Sequence, residues 1–217
     1  MVTRVWHIIR KEVLVGKRDN LSFLASLLYL VGLIFVIFKI FTDMSVPTRV
    51  GIFWIVMVFS CIDVVSGSFD KTSMRRHMSY YMLYDPFEFM TAKFLINGVK
   101  LIMIGVCSLV LFILFSGTPL ADPLLFSKSF LLTIMGILGT LTLTSIIAMY
   151  SEQSGAMIYV LSLPLLIPIL LIGMRTSLIA ERAIFDSAVN SNLLLLLGID
   201  LIMIVLTFVF INFTWKP

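Results

Sequence analysis

The chain has 217 residues, 60% of them hydrophobic and only 13% charged, where a soluble domain carries roughly 25% charged residues. A mean hydropathy of +1.09 reads as an integral membrane protein, and with no hydrophilic domain the chain leaves ATP hydrolysis and soluble catalysis to another protein. The net charge of +4 follows membrane topology and gives no reason to expect a nucleic-acid partner.

The first predicted element is an amphipathic stretch over residues 2–18. Val2, Val5, Trp6, Ile9 and Val13 share one helical face, and Arg4, His7, Lys11 and Arg18 share another. A tryptophan among basic groups suits the headgroup level of an anionic leaflet, where each basic residue contributes about 1 kcal/mol. The stretch therefore reads as an interfacial elbow helix ahead of the first span. No cleavable signal is expected, because the first 20 residues lack an apolar core of the needed length.

Six apolar runs follow, over about 21–42, 50–68, 94–116, 129–149, 156–174 and 193–214. Each is close to the roughly 20 residues that cross a hydrocarbon core. With both termini cytoplasmic, the inner side carries ten basic residues: Arg4, Arg10, Lys11, Lys17, Arg18, Lys71, Arg75, Arg76, Lys93 and Lys216. The outer side carries four: Arg49, Lys128, Arg175 and Arg182. The positive-inside rule favours that orientation.

Between spans two and three lies the longest polar segment, 69–93. Thr72 and Ser73 can cap a helix start. Met74, Met78, Tyr81 and Met82 then form one apolar stripe, with Arg75 and Arg76 beside it. Asp85-Pro86 ends this helix, because a residue before proline avoids the α region. A short amphipathic helix outside the bilayer has two readings: a docking surface for a soluble partner, or a helix lying on lipid headgroups. The candidate docking residues are Met74, Arg75, Arg76, Met78, Tyr80 and Tyr81.

Charges within the spans are few. Lys39 can snorkel from the outer end of span one. Asp63, Lys100 and Asp200 are functional candidates by their cost in hydrocarbon. All lie within about two turns of an interface, so a packing role is the stronger reading, and an Asp63–Lys100 pair is compatible with their depths. Cys61 and Cys107 lie in apolar runs and read as small packing residues. Span four carries Gly136, Gly139, Thr140, Thr142, Thr144 and Ser145, the small and hydroxyl residues of a close-packed helix. Span five carries Pro164 and Pro168, each removing a backbone donor and freeing a carbonyl one turn earlier. They make it a kinked helix that lines a path or bends, or one whose kink is absorbed by packing. The loop 175–192 is expected to form a short helix at the outer surface. With His7 and His77 the only histidines, and no HExxH or phosphate loop, an enzyme is not expected. Transport subunit, channel and structural partner remain.

This layout resembles the haem exporter protein B family (CcmB-like), the permease subunit of the ABC complex of bacterial cytochrome c maturation. The stretch Leu161-Ser162-Leu163-Pro164-Leu165-Leu166-Ile167-Pro168-Ile169-Leu170-Leu171 is similar to that family's L-x-L-P-x-x-I-P-L-L segment. The segment from Phe69 through Tyr80-Tyr81 to Pro86 and Ala92-Lys93 is similar to its cytoplasmic segment, and RKEVLVGKRD from Arg10 resembles its elbow. Asp70 is kept, but Arg75-Arg76-His77-Met78 stand where many members have glycine, leucine and glutamate.

The resemblance implies an all-α integral membrane protein, one permease domain over 1–217 with an elbow, six spans and a coupling helix. It implies a separate cytoplasmic ABC ATPase docked on 69–93, a second permease copy and a further haem-handling membrane subunit in the bacterial inner membrane. Haem would be cargo or a handled ligand, ATP would be bound by the partner, and the chain itself would hold no cofactor or metal. The alternative is the six-span substrate-capture subunit of a vitamin-type uptake system, which needs neither elbow nor coupling helix. A structural scaffold is a third reading, separated by whether an ATPase gene lies alongside.

Overall fold

The computed structural model describes residues 5–10, 17–41, 43–68, 85–148 and 154–214. Among them the chain is helical, with no strand. Six long helices follow one another: α1 (Lys17–Ile40), α2 (Val46–Ser68), α3 (Pro86–Ser116), α4 (Pro123–Ala148), α5 (Ser154–Ala180) and α6 (Val189–Thr214). All six are long and apolar enough to cross a membrane. Apolar side chains such as Leu28 of α1, Leu114 of α3, Val160 of α5 and Leu194 of α6 stand exposed on the outside of the bundle. Such a surface is stable in lipid and would associate in water.

The helices are not equivalent. The apolar stretch of α4 is 78% buried and that of α1 is 17% buried, so α4 is the centre and α1 the periphery. α4 packs most heavily on α5 and α6, while α1 leans on α2 and α3. The small residues expected to let α4 pack closely do so. A side chain at Gly136 would collide with Asp200 of α6 and Ile169 of α5, and one at Gly173 of α5 would collide with Thr133 of α4. Cys61 is buried in the main core, and both cysteines are free thiols.

The helices run past the expected spans at several ends, α4 for instance starting at Pro123 rather than 129, and three of these differences change the reading of a segment. α3 begins at Pro86, not near 94, because a proline at the first helical position is pre-set for the helix and Asp85 before it is extended (φ −68°, ψ 144°). Residues 86–93 therefore belong to a spanning helix and not to a polar loop. α5 runs on to Ala180, and residues 181–188 are turns, so the separate helix expected at 175–192 does not form. Leu178 packs on the core and Ala180 is buried, which carries the helix past the apolar run. Lys17 and Arg18, assigned to the elbow by sequence, start α1. Within the expected elbow, residues 5–10 are helical, whereas 2–4 and 11–16 lie outside the described residues. α3 stops at Gly117, whose left-handed φ of 63° lets its amide close on the Ile113 carbonyl.

Candidate functional site

The polar segment 69–84 lies outside the described residues, and with it the coupling helix and Met74, Arg75, Arg76, Met78, Tyr80 and Tyr81. The two helix ends from which it springs are described. Ser68 closes α2 and Asp85 precedes α3. Lys93, two turns into α3, is fully buried, and its Nζ donates to the Ser68 carbonyl at 3.1 Å with Ser68 Oγ at 3.4 Å. An ammonium group at a helix C-terminus meets the negative end of the helix dipole and an unpaired carbonyl. Lys93 thus ties the two ends of the segment together.

The same turns of α3 reach across the bundle. Met90 is buried in a cluster with Ile146 of α4 and Ile211 of α6. Phe87 stacks on Phe208 of α6, with centroids 6.2 Å apart and rings 13° from parallel. On another side of α3, Val5 and Ile8 of the N-terminal helical turn bury against Ala92, while Trp6 of that turn stays exposed. These contacts form a collar at one end of the bundle. The first turns of α3 meet α2, α4, α6 and the N-terminal turn there, at the two helix ends that the segment 69–84 connects in sequence.

The opposite end is held by polar contacts. Arg49 of α2 pairs with Glu181 at 2.9 Å, with side chains 17% and 5% exposed, and donates to Thr118. Trp54 Nε1 donates to Ser177 Oγ at 3.1 Å. Ser129 of α4 bonds the Thr176 hydroxyl and donates to the Gly173 carbonyl at 3.2 Å. Arg175 pairs with Asp186 at 2.6 Å. The Ala188 amide, followed by Arg175, holds the Asp186 carboxyl below the usual carboxylate range. A cavity of about 40 Å³ lies between Arg49, Phe53, Phe112, Phe126 and Glu181. That is room for water, not for a macrocycle.

The family model for the CcmB protein matches residues 3–213. The chain belongs to the CcmB family. No curated protein and no solved structure matches it. CcmB proteins are the haem exporter protein B family, so the chain is a transmembrane permease subunit of the haem-exporter ABC type, tied to cytochrome c biogenesis.

In this CcmB chain the predicted intramembrane charges do not converge. Asp63 accepts a hydrogen bond from Ser26 of α1. The Asp63–Lys100 pair is absent from the ion pairs among the described residues, and Lys100 is half-buried on α3. Asp200 is buried on α6, with Oδ1 against Gly136. Pro164 and Pro168 lie inside α5, and both face out of the chain's own core, while Leu166 and Ile169 face in. Sequence reasoning missed the structural roles of Lys93 and Arg49, counting both only as loop cations. For Lys93 the available signal was Pro86 as a helix start, which places residue 93 two turns inside a helix.

Proposed function

We propose that this CcmB-family chain couples ATP hydrolysis in a separate cytoplasmic ATPase to movement of its own helices, serving haem trafficking for cytochrome c maturation. The ATPase docks on 69–84, with Met74, Arg75, Arg76, Met78, Tyr80 and Tyr81 as the contact residues. Two permease copies, two ATPases and a haem-handling membrane subunit make up the complex. It sits in the bacterial inner membrane with both termini cytoplasmic, the orientation favoured by ten basic residues against four. Haem is cargo or a handled ligand. No histidine lies in a span, so this subunit offers no imidazole ligand to haem iron within the bilayer.

The observation that carries the reading is the family match over residues 3–213. The collar gives it a mechanical route. A force on 69–84 acts at Ser68 and Asp85. It passes to α2 through Lys93, and to α4 and α6 through Met90 and Phe87. α3, of 31 residues, then carries it roughly 46 Å along its axis. The outward face bearing Pro164 and Pro168 is available to bend against the second copy.

The test is the Met78→Ala, Tyr81→Ala double variant, which removes two apolar anchors and leaves both arginines. Loss of two such anchors costs roughly 2–4 kcal/mol of association. The chain is expected to stay in the membrane, lose its ATPase on purification, and leave periplasmic c-type cytochromes unstained for haem. Full recovery of the ATPase with the double variant would leave the headgroup reading of this helix standing.

A further inference from the structure

A cleft of about 340 Å³ opens between α1, α2 and α5, lined by Ser26, Tyr29, Phe59, Ser60, Asp63 and Tyr159. Its floor is polar: Ser26 and Ser60 are buried, and Ser26 Oγ donates to Asp63 Oδ2. Its rim is aromatic and faces outward, with Tyr29 68% and Phe59 53% exposed. Asp63 is itself exposed, and it is in neither of the ion pairs Arg49–Glu181 and Arg175–Asp186.

Depth decides what such a cleft meets. The apolar stretches of these helices run over Phe23–Ile40, Val46–Ser68 and Gly155–Ala180. Tyr29 is six residues from the first of these ends, Asp63 five from Ser68 and Tyr159 four from Gly155, so all lie at one end of the bundle. At 1.5 Å per residue they sit within roughly 9 Å of the membrane boundary. A fixed anion at that depth, beside three aromatic rings and open sideways, is complementary to a cation carried on an apolar body. Carboxylate and ring faces both attract ammonium groups.

We propose that this cleft binds a membrane lipid with a primary-ammonium headgroup, the ammonium against Asp63 and the acyl chains along the exposed faces of α1 and α5. The volume falls in the range of small-ligand sites. A phosphate-only anionic headgroup would be repelled by Asp63. The site is separate from the collar, since none of its lining residues takes part there.

The test is native mass spectrometry of the full chain offered equal amounts of phosphatidylethanolamine and phosphatidylglycerol. The wild-type chain is expected to retain phosphatidylethanolamine preferentially. Asp63→Asn keeps the shape and an acceptor for Ser26 but removes the charge. It should lower that preference by roughly two- to fivefold, the range an exposed ion pair supplies, and Asp63→Glu should restore it. Equal retention of both lipids by the wild-type chain, or an unchanged preference in Asp63→Asn, would overturn the proposal. So would a dimer that excludes both lipids and separates on Tyr29→Ala, which would assign the cleft to a second copy. The preference of the unmodified chain carries the test even if a variant fails to fold.

Discussion

The two ends of this bundle are held by different chemistry. At the end opposite the collar, the rim of the bundle, charges and hydroxyls are paired side chain to side chain: Arg49 with Glu181, Arg175 with Asp186, Trp54 with Ser177, Ser129 with Thr176. At the collar the contacts among the described residues include the Met90–Ile146–Ile211 cluster, the Phe87–Phe208 stack and the buried tie of Lys93 to the Ser68 carbonyl. Directional bonds at fixed distances hold one arrangement. Apolar surfaces tolerate small sliding movements at little cost, the behaviour of shear between packed helices. On the proposed function, this difference would place stability at the rim and transmission at the collar.

The largest effect is expected at the rim. Arg49→Ala leaves Glu181 buried without its partner, and breaking one side of a buried pair costs about 3–5 kcal/mol. The thermal midpoint of the purified chain should fall by several degrees. A midpoint equal to that of the wild type would remove the rim from the account. Replacing Pro164 and Pro168 together by Ala restores two backbone donors, each worth about 0.5–1.5 kcal/mol when bonded. That variant should be at least as stable as the wild type and lose haem loading of c-type cytochromes. Full haem loading would make the prolines a static feature of packing.

A smaller effect follows from Asp186. Its carboxyl is held below the usual range by the Ala188 amide and Arg175, so it stabilises the folded chain above the ordinary value of 3.8. That contribution is lost as pH falls through the lowered value. The stability difference between wild type and Asp186→Asn should be present near neutral pH and vanish in acid. A difference that persists unchanged into acid would mean that Asp186 acts without its charge.

Much of this was legible in the sequence. Six apolar runs gave six helices, because bilayer thickness sets run length and backbone bonding requires helices. The glycines and hydroxyls of α4 marked a close-packed helix, because only small residues permit such approach. Helix ends were read less well. Hydropathy alone placed the start of α3 at Phe94, whereas the helix begins where Pro86 permits it and draws Glu88 and Lys93 into buried positions. The rim was invisible for a different reason. Arg49 and Glu181 are 132 positions apart, and no local pattern pairs them.

Lys93→Met separates the two ends most directly. Methionine keeps much of the buried volume and removes the ammonium from Ser68, a change worth about 1 kcal/mol at a helix terminus. The decisive quantity is the amount of ATPase that co-purifies with Lys93→Met, at matched amounts of chain in the membrane, set beside Arg49→Ala. Lys93→Met is expected to melt within a few degrees of the wild type yet recover far less ATPase. Arg49→Ala should melt early and, below its melting temperature, still recover the ATPase. Full ATPase recovery with Lys93→Met would contradict this reading, because the collar would then play no part in presenting the segment 69–84.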